Sequence, residues 1–286
     1  MQREELLRLA SVLAGKYRLS PPRLPAGGGV GAFAGQRDGQ SVDFHDFREY
    51  QPGDDLRRVD WRAYARSGQM HLKLFREEVS PVVELHLDTS ASMAAYPGKE
   101  QAALFLAAFL RTVALASEGK PVLCRDGRRF SGSDFDRALL DTDFSGPSAP
   151  AVAAQPPLSA RPMRFFLSDY LFGDDLPALL SMQSAGSLAF CPLMLLSKSE
   201  VNPPWRGLRR LRDVEAPERI LDMPLNEKAV AAYARRLAKH CESLNALAFR
   251  NGGRLIVCEV ADEGEDRDGL QRLVERLAGE RLVAWC

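Results

Sequence analysis

The sequence predicts an α/β fold built on a doubly wound, mostly parallel sheet with an N-terminal helical/β extension. From about residue 80 to the end, segments with strand and helix patterns alternate along the chain. Several strand segments, such as "MRFFLSD" and "SLAFCPLMLLS", are nearly continuous apolar runs. Such runs are expected where helices cover both faces of a sheet. Together these observations are typical of an open α/β sheet.

Each element of this sheet domain has its own signal. The long segment "NEKAVAAYARRLAKHCESLNALAFRNGG" has helical periodicity and ends in glycines, and "LRRLRDVEAPERILDM" is a charged segment compatible with a hairpin. The Pro/Ala/Ser-rich residues 144–160 are expected to form a surface loop, because too few strands lie on either side for two sheets. The predicted order is a strand at 80–88, a helix at 99–119, a strand or hairpin at 120–130, a helix at 133–141, a strand at 163–169, a helix at 174–186, a strand at 187–197, the charged hairpin at 208–223, the long helix at 226–253, a strand at 254–262 and a final helix at 266–280.

The residues before the sheet domain have a different character. Residues Glu4–Lys16 carry one apolar stripe at helical spacing. The stretch "SPPRLPAGGGVGAFAG" then predicts a loop, and it lacks the G-x-x-x-x-G-K-[ST] pattern of a phosphate-binding loop. A polar, aromatic and acidic block follows at 43–66. We therefore expect an extension at 1–79 and a sheet domain at 80–286.

The composition excludes several classes of protein. Lys+Arg and Asp+Glu both number 38, so a basic surface for nucleic acid or anionic lipid is not expected. The five cysteines are scattered without a C-x-x-C pair, which favours free thiols in a reducing cytosol. The start "MQREELLRLA" lacks the apolar core of a signal peptide, and no apolar run reaches the roughly 18 residues of a membrane helix. We expect a cytoplasmic protein with no membrane span.

Polar residues follow two of the predicted strands. Asp88, Ser90 and Ser92 follow the first strand in "LHLDTSASM", and Asp169 ends "MRFFLSD". If the two strands are neighbours where the strand order reverses, both aspartates face one crevice. In an extended loop, residues two apart point the same way, so 88, 90 and 92 can converge on one ion. Carboxylate and hydroxyl oxygens suit Mg²⁺, or Mn²⁺, in octahedral geometry.

Three other interpretations of this motif stay open. A hydrolase that forms an aspartyl-phosphate needs D-x-D after the strand, and Ser90 stands at the second aspartate's place. An aspartic protease needs D-[ST]-G and a second copy in an all-β context. A purely structural interpretation makes Asp88 the cap of the following helix, with the serines satisfying the turn.

The motif D-x-S-x-S followed by methionine resembles the metal-ion-dependent adhesion site of von Willebrand factor A-like domains, whose fold is of the Rossmann type. The resemblance implies a Mg²⁺ held by Asp88, Ser90 and Ser92, with Asp169 as the aspartate from a later strand. That family's remaining ligand is usually a threonine in a middle loop. The best candidate here is Ser133 in "SGSDFDRAL".

The segment "REYQPGDDLRRVDWRAYARSGQMHLKLFREE" resembles the signature of a bacterial family known as domain of unknown function 58. That signature stands directly ahead of an A-like domain, and Val59 and Leu72 are mild departures from it. The matching residues are Arg48, Tyr50, Gly53, Asp54, Asp55, Arg57, Asp60, Trp61, Ala65, Arg66, Lys73, Phe75, Glu77 and Glu78.

The acidic part of this segment has a structural and a catalytic interpretation. Gly53 with Asp54 and Asp55 suits a turn whose carboxylates cap backbone amides. The interleaved arginines would pair with the aspartates and fix the extension on the sheet domain, while Trp61 and Tyr64 supply an apolar anchor. In the catalytic interpretation, Asp54, Asp55 and Asp60 form a second metal or acid/base site. The four histidines are isolated in sequence and are expected to have packing or surface roles.

From these observations we expect a non-enzymatic, divalent-metal-dependent protein-interaction module. The resemblance implies an adaptor that works with a MoxR-type AAA+ ATPase in the assembly or maturation of protein complexes. One alternative is a Mg²⁺-dependent hydrolase that uses Asp88 with Asp169, or with Asp54 and Asp55. Another is a structural domain without metal.

Overall fold

A computed structural model describes residues 1–20, 42–50, 59–77, 82–146, 162–172 and 176–285. Their helices are α1 (Arg3–Ala14), α2 (Trp61–Ser67), α3 (Ala91–Ala94), α4 (Pro97–Ala116), α5 (Asp134–Leu140), α6 (Leu176–Ser184), α7 (Lys198–Val201), α8 (Glu227–Arg250) and α9 (Arg267–Gly279). Their strands are β1 (Tyr17–Leu19), β2 (Val42–Glu49), β3 (His71–Glu77), β4 (Val82–Leu87), β5 (Lys120–Arg125), β6 (Arg128–Ser131), β7 (Met163–Ser168), β8 (Ala189–Ser197), β9 (Gly207–Arg212), β10 (Ile220–Leu225), β11 (Ile256–Val260) and β12 (Val283–Trp285).

Within the described ranges, the central sheet has six strands in the order β11-β8-β7-β4-β5-β6. All neighbouring pairs are parallel except β5 and β6, which are antiparallel. The chain leaves β4 to build one side of the sheet with β5 and β6, and then returns to β4's other edge with β7. The predicted α/β fold with a mostly parallel, doubly wound sheet is confirmed, and its strand order reverses at β4.

Helices cover both faces of this sheet. Alternate residues of β4 point to opposite faces, and Val83, Leu85 and Leu87 belong to an apolar cluster with α1, α4 and α9. The cluster on the other face includes Phe166 and Met194 and is covered by α6 and α8. Helix α4 is apolar on most sides because it lies between the sheet and α1.

The chain divides into two compact units, Met1–Pro22 with Pro81–Cys286, and Arg23–Ser80. Helix α1, which the sequence analysis counted with the extension, packs on α4 of the first unit. In the same unit, β1 pairs with β12 in antiparallel fashion, and the rings of Tyr17 and Trp285 meet edge to face at 5.2 Å. In the second unit, β2 pairs with β3, with a register shift between Phe44 and Asp46.

The predicted charged hairpin is also present. Strands β9 and β10 pair in antiparallel register, with Arg212 opposite Ile220 and Gly207 opposite Leu225. Of the predicted loop at 144–160, residues 147–160 lie outside the described residues.

Gly98 at the start of α4 provides a test of the packing between α4 and the turn after β11. A Cβ at this position would lie 1.7 Å from the carbonyl oxygen of Ala261, a backbone atom. We expect Gly98→Ala to lower the free energy of unfolding by about 1–3 kcal/mol through overpacking. The matched control is Gly279→Ala at the end of α9, where nothing lies within 4 Å of the added Cβ. Urea unfolding should show the control at or slightly above wild-type stability, and equal stability of the two variants would contradict this packing.

Candidate functional site

The candidate site lies where the strand order of the sheet reverses. Asp88 directly follows β4 and Asp169 directly follows β7, and these strands are parallel neighbours. The Asp88 N–H donates to the carbonyl of Leu167 at 2.9 Å, which extends the pairing as far as the site. Because the carboxyl ends of parallel strands meet at one edge, both aspartates stand at the same edge. The apolar strand patterns that end in Asp88 and Asp169 predict this arrangement.

The loop after Asp88 brings its two serine hydroxyls together. The Asp88 carboxylate is buried and accepts hydrogen bonds from the Ser90 N–H at 2.9 Å and from the Ser168 hydroxyl at 2.6 Å. The Oγ atoms of Ser90 and Ser92 are 3.0 Å apart. Ser90 stands at the N-cap of α3, but its side chain makes no capping hydrogen bond. The purely structural interpretation therefore accounts for the Asp88 carboxylate and leaves the paired hydroxyls unexplained.

The two aspartates influence each other electrostatically. Burial raises the pKa of Asp88, and the negative charge of Asp169 raises it further. The hydrogen bonds from Ser168 and Ser90 act in the opposite direction, because they favour the charged carboxylate. The pair therefore costs free energy unless a cation lies beside it.

Lys99, in the first turn of α4, supplies one such cation from within the chain. Its ammonium is fully buried and donates to Asp169 Oδ2 at 2.9 Å and to Glu200 Oε1 at 2.7 Å. The other Glu200 oxygen accepts from the Ser197 N–H at 2.8 Å in a capping box at the start of α7. Lys99 was not among the site residues predicted from the sequence, although it stands at the start of an otherwise apolar helix.

The donor set fits a hard divalent cation in its chemistry. Two neighbouring ligands of an octahedral Mg²⁺ at ~2.05 Å lie about 2.9 Å apart, which matches the 3.0 Å between the Ser90 and Ser92 hydroxyls. Each hydrogen-bonded oxygen of Asp88 and Asp169 keeps a lone pair for an ion or for its water. Among the described residues, no group of three or more His, Cys, Asp or Glu side chains is arranged to hold a metal. Besides the two aspartates, a cation here would therefore need the two hydroxyls, water and further oxygen ligands.

The structure does not bring Ser133 to this site. Ser133 is exposed at the start of α5 and makes no capping hydrogen bond through its side chain. Strand β6 runs antiparallel, and its last residue, Ser131, pairs with Val122 near the amino end of β5. Ser133 therefore lies toward the opposite end of the sheet from Asp88.

A different segment reaches the loop after Asp88, namely the one that follows α5. Gly146 forms a bridge with Ser90, and its N–H donates to the Thr89 carbonyl at 2.9 Å. A Cβ on Gly146 would lie 2.8 Å from the Thr89 hydroxyl, so this approach favours glycine. The exposed side chains in this segment that carry oxygen atoms are Asp141, Asp143 and Ser145, and the Ser145 hydroxyl donates to Asp143.

The signature residues of the extension are only partly described. Gly53, Asp54, Asp55 and Arg57 lie outside the described residues, and Arg48 is described only as a backbone position of β2 opposite Leu72. The expected turn at Gly53 therefore stays a prediction.

The remaining signature residues lie in or beside α2. Asp60 caps this helix by accepting from the N–H groups of Arg62 at 3.0 Å and Ala63 at 3.1 Å. Trp61 is 52% exposed and contacts Tyr64 edge to face. Arg66 lies in the last turn and donates from Nε to the Arg62 carbonyl at 3.3 Å. The anchoring of the extension on the sheet domain stays a prediction.

A buried polar network lies beneath the site on the same face of β4. The Arg164 guanidinium donates to Glu84 at 2.7 Å, and Nε2 of His86 is 3.1 Å from the same carboxylate oxygen. The His86 ring stacks on Phe166 with centroids 4.1 Å apart, and its Nδ1 has no hydrogen-bond partner among the described residues. From the sequence, His86 was expected to have a packing or surface role, and this network was not predicted.

A protein-family model described as "Protein of unknown function DUF58" matches residues 46–126. The match supports the DUF58 family. The range matched by DUF58 begins in the extension and includes Asp88, Ser90 and Ser92, so it contains both motifs that carried the resemblances. No curated protein and no solved structure matches the chain. Among the helices of the described ranges, none is both long and apolar enough to cross a membrane.

The substitution Lys99→Met tests the role of the buried ammonium. Methionine keeps much of the side-chain length but leaves Asp169 and Glu200 without this cation. We expect a loss of about 3–5 kcal/mol in the free energy of unfolding, as for one partner removed from a buried pair. Lys239→Met, on the exposed side of α8, is the matched control and should change stability little. Similar unfolding midpoints in urea for both variants would contradict the role of Lys99.

His86 predicts a specific dependence of stability on pH. Burial lowers the pKa of His86 from its ordinary value of 6.5, so below that pH the unfolded chain binds a proton that the folded chain does not. Wild-type stability should therefore fall as the pH drops below 6.5, by at most about 1.4 kcal/mol per pH unit from this group. Other groups that act on His86 are Glu84, Arg164 and Arg129.

His86→Phe should remove this contribution and flatten the dependence between about pH 7.5 and 5.5, whatever its absolute stability. Phe166→Leu removes the stacking partner but keeps the imidazole, so it should retain the wild-type slope. Urea unfolding across that range measures both, and an unchanged slope in His86→Phe would refute the assignment.

Proposed function

We propose that the protein is a divalent-metal-dependent protein-interaction module of the von Willebrand factor A type. In this proposal, Asp88, Ser90, Ser92 and Asp169 hold Mg²⁺ or Mn²⁺, and the ion captures an acidic side chain of a protein partner. The observation that carries the proposal is the meeting of two buried carboxylates and two paired hydroxyls where the strand order reverses. That position is where open α/β sheets bind ligands.

Charge balance supports a divalent ion. With all groups ionised, Asp88, Asp169 and Glu200 carry three negative charges, and Lys99 neutralises one of them. The two remaining charges match those of Mg²⁺. When bound, the ion would supply a positive charge with coordination positions still open. The chain's own residues would orient it, with Ser168 and Lys99 holding the aspartates by hydrogen bonds.

The fold and the family match are compatible with this proposal. The D-x-S-x-S motif follows the strand at which the order reverses, and one edge strand, β6, is antiparallel. The partner suggested by the DUF58 resemblance is a MoxR-type AAA+ ATPase, with the protein as an adaptor in the assembly or maturation of protein complexes. A cytoplasmic location belongs to the same proposal.

A Mg²⁺-dependent hydrolase is the second candidate function, and the raised pKa of Asp88 beside Asp169 is the observation in its favour. Both oxygens of the Asp88 carboxylate already accept hydrogen bonds, and the residue is only 3% exposed, which makes the carboxylate a poor nucleophile. The geometry therefore favours binding over catalysis. Turnover of phosphoester substrates with Mg²⁺ that is lost in Asp88→Asn would reverse this preference.

The third candidate is a structural domain without metal, in which Lys99 alone provides the cation. The effect of Mg²⁺ on the stability of the fold distinguishes this candidate from the proposal. A ligand that binds only the folded state at roughly ten times its Kd stabilises it by about 1.4 kcal/mol. We expect that gain for the wild type in thermal or urea unfolding, and its loss in Asp88→Asn. Asp268→Asn, on the exposed first turn of α9, is the matched control and should keep the gain. No response of the wild type to Mg²⁺ or Mn²⁺ would leave the structural candidate.

The partner is tested by retention from native lysate with and without Mg²⁺. Wild type and the double variant Asp88→Ala/Ser90→Ala serve as bait, and mass spectrometry identifies the retained proteins. An AAA+ ATPase held by the wild type only with Mg²⁺ is the expected result. Identical retention in all four conditions would exclude this loop as the binding surface.

A further inference from the structure

The peptide group that joins Tyr170 to Leu171 links the candidate site to helix α8. The Leu171 N–H donates to Oδ1 of Asp169 at 3.1 Å, and the Tyr170 carbonyl accepts from Nε2 of His240 at 2.7 Å. Since a carbonyl oxygen can only accept, Nε2 of His240 carries the proton. One peptide group therefore stands between an imidazole of α8 and a carboxylate of the site.

The backbone at Tyr170 is in an unfavourable conformation. Its φ of +51° lies in the left-handed region, which is rare for a residue with a bulky side chain. The side chain is fully buried, and its hydroxyl donates to Oε1 of Gln183 at 3.1 Å. The Tyr170 N–H donates to the Ser168 hydroxyl at 3.0 Å. A conformation of this kind persists only where the surrounding contacts hold it.

The planarity of the peptide group makes its two hydrogen bonds depend on each other. The carbonyl and the N–H of a trans peptide point in opposite directions, and they turn together when the flanking dihedral angles change. If Tyr170 relaxed to a negative φ, its carbonyl would leave His240 and the next N–H would leave Asp169. His240 therefore holds the donor that orients one oxygen of Asp169, while Lys99 holds the other oxygen.

Helix α8 presents His240 from its packed side. Leu244 and Ala248 are buried in the apolar cluster that α6 and α8 cover, and Leu237 packs against that cluster. These three residues and His240 follow one another at spacings of three or four, so they share one side of the helix. The apolar contacts fix the register of α8 and thereby hold the imidazole against the loop after β7.

A second side chain of α8 reaches the same edge of the sheet. Tyr233 lies about two turns before His240, and its hydroxyl donates to the Glu200 carbonyl at 2.6 Å. The Glu200 carboxylate shares the Lys99 ammonium with Asp169. Helix α8 therefore contacts both of the segments that hold this ammonium.

We infer that His240 is a positioning residue of the proposed metal site, which acts through the peptide group after Tyr170 to orient Asp169 toward the ion. The inference rests on the proposed function and deepens it. Because linkage is reciprocal, an ion that binds Asp169 also stabilises the contact between His240 and the loop. The affinity for the ion is then set in part by a helix that supplies none of the proposed ligands.

Binding of Mn²⁺ alone tests the inference, with the free ion measured by electron paramagnetic resonance. We expect His240→Leu to weaken Mn²⁺ binding on the order of tenfold, as for the loss of a hydrogen bond that orients a ligand. His240→Gln keeps an N–H donor at the end of the side chain and should bind Mn²⁺ nearly as the wild type does. Lys239→Leu, at the exposed neighbouring position of α8, is the matched control and should bind as the wild type does.

Hydrogen exchange in the metal-free protein supplies a second readout that does not depend on the ion. The Leu171 N–H should exchange faster in His240→Leu than in the wild type or in His240→Gln, because its peptide group is no longer held from the carbonyl side. Unchanged exchange in His240→Leu would refute the link between α8 and this peptide group.

The possible failures are distinguishable. If the wild type binds Mn²⁺, Asp88→Asn does not, and His240→Leu binds like the wild type, the positioning role is refuted and the metal site stands. Equal weakening in His240→Leu and His240→Gln would refute the role of the hydrogen bond in the same way. If the wild type itself binds no Mn²⁺, the proposed function fails and the inference fails with it, whatever the exchange of Leu171 shows.

Discussion

The burial of like charges at the end of two neighbouring strands is the constraint on which the rest of the site depends. Asp88 and Asp169 cannot both be ionised away from water unless nearby donors and cations stabilise them. Ser168 and the loop amides supply the donors, and Lys99 supplies a cation from the helix that follows the motif. This pair of aspartates therefore contacts both α4 and the loop after β4, and Lys99 links it to the capping box of α7.

The interior beneath the site also contains buried charges that are stabilised by pairing. One face of β4 is apolar, whereas the other carries Glu84 and His86 in line with Asp88. Arg164 of β7 balances Glu84, so the ionic network crosses between the two strands whose ends form the site. A buried polar network of this kind fixes which strand lies beside which more than it adds to stability. The candidate site and the buried polar network beneath it thus lie on the same pair of strands.

Much of the fold could be predicted from local pattern, because alternating apolar strands and helices leave few arrangements for a sheet. The meeting of Asp88 and Asp169 followed from that pattern, since both residues directly follow buried strands. Ser133 could not be placed correctly, because its position depends on β6 running antiparallel and the sequence left "KPVLCRDGRRF" as a strand or a hairpin. Lys99 was visible in sequence, but its two carboxylate partners come from the loop after β7 and from helix α7.

The buried pair beneath the site also constrains how the sequence can vary. Glu84 and Arg164 are both buried and pair across β4 and β7, so replacing either one alone leaves an uncompensated charge in the interior. Replacing both by apolar residues of similar volume avoids that cost. We therefore expect these two positions to change together rather than singly.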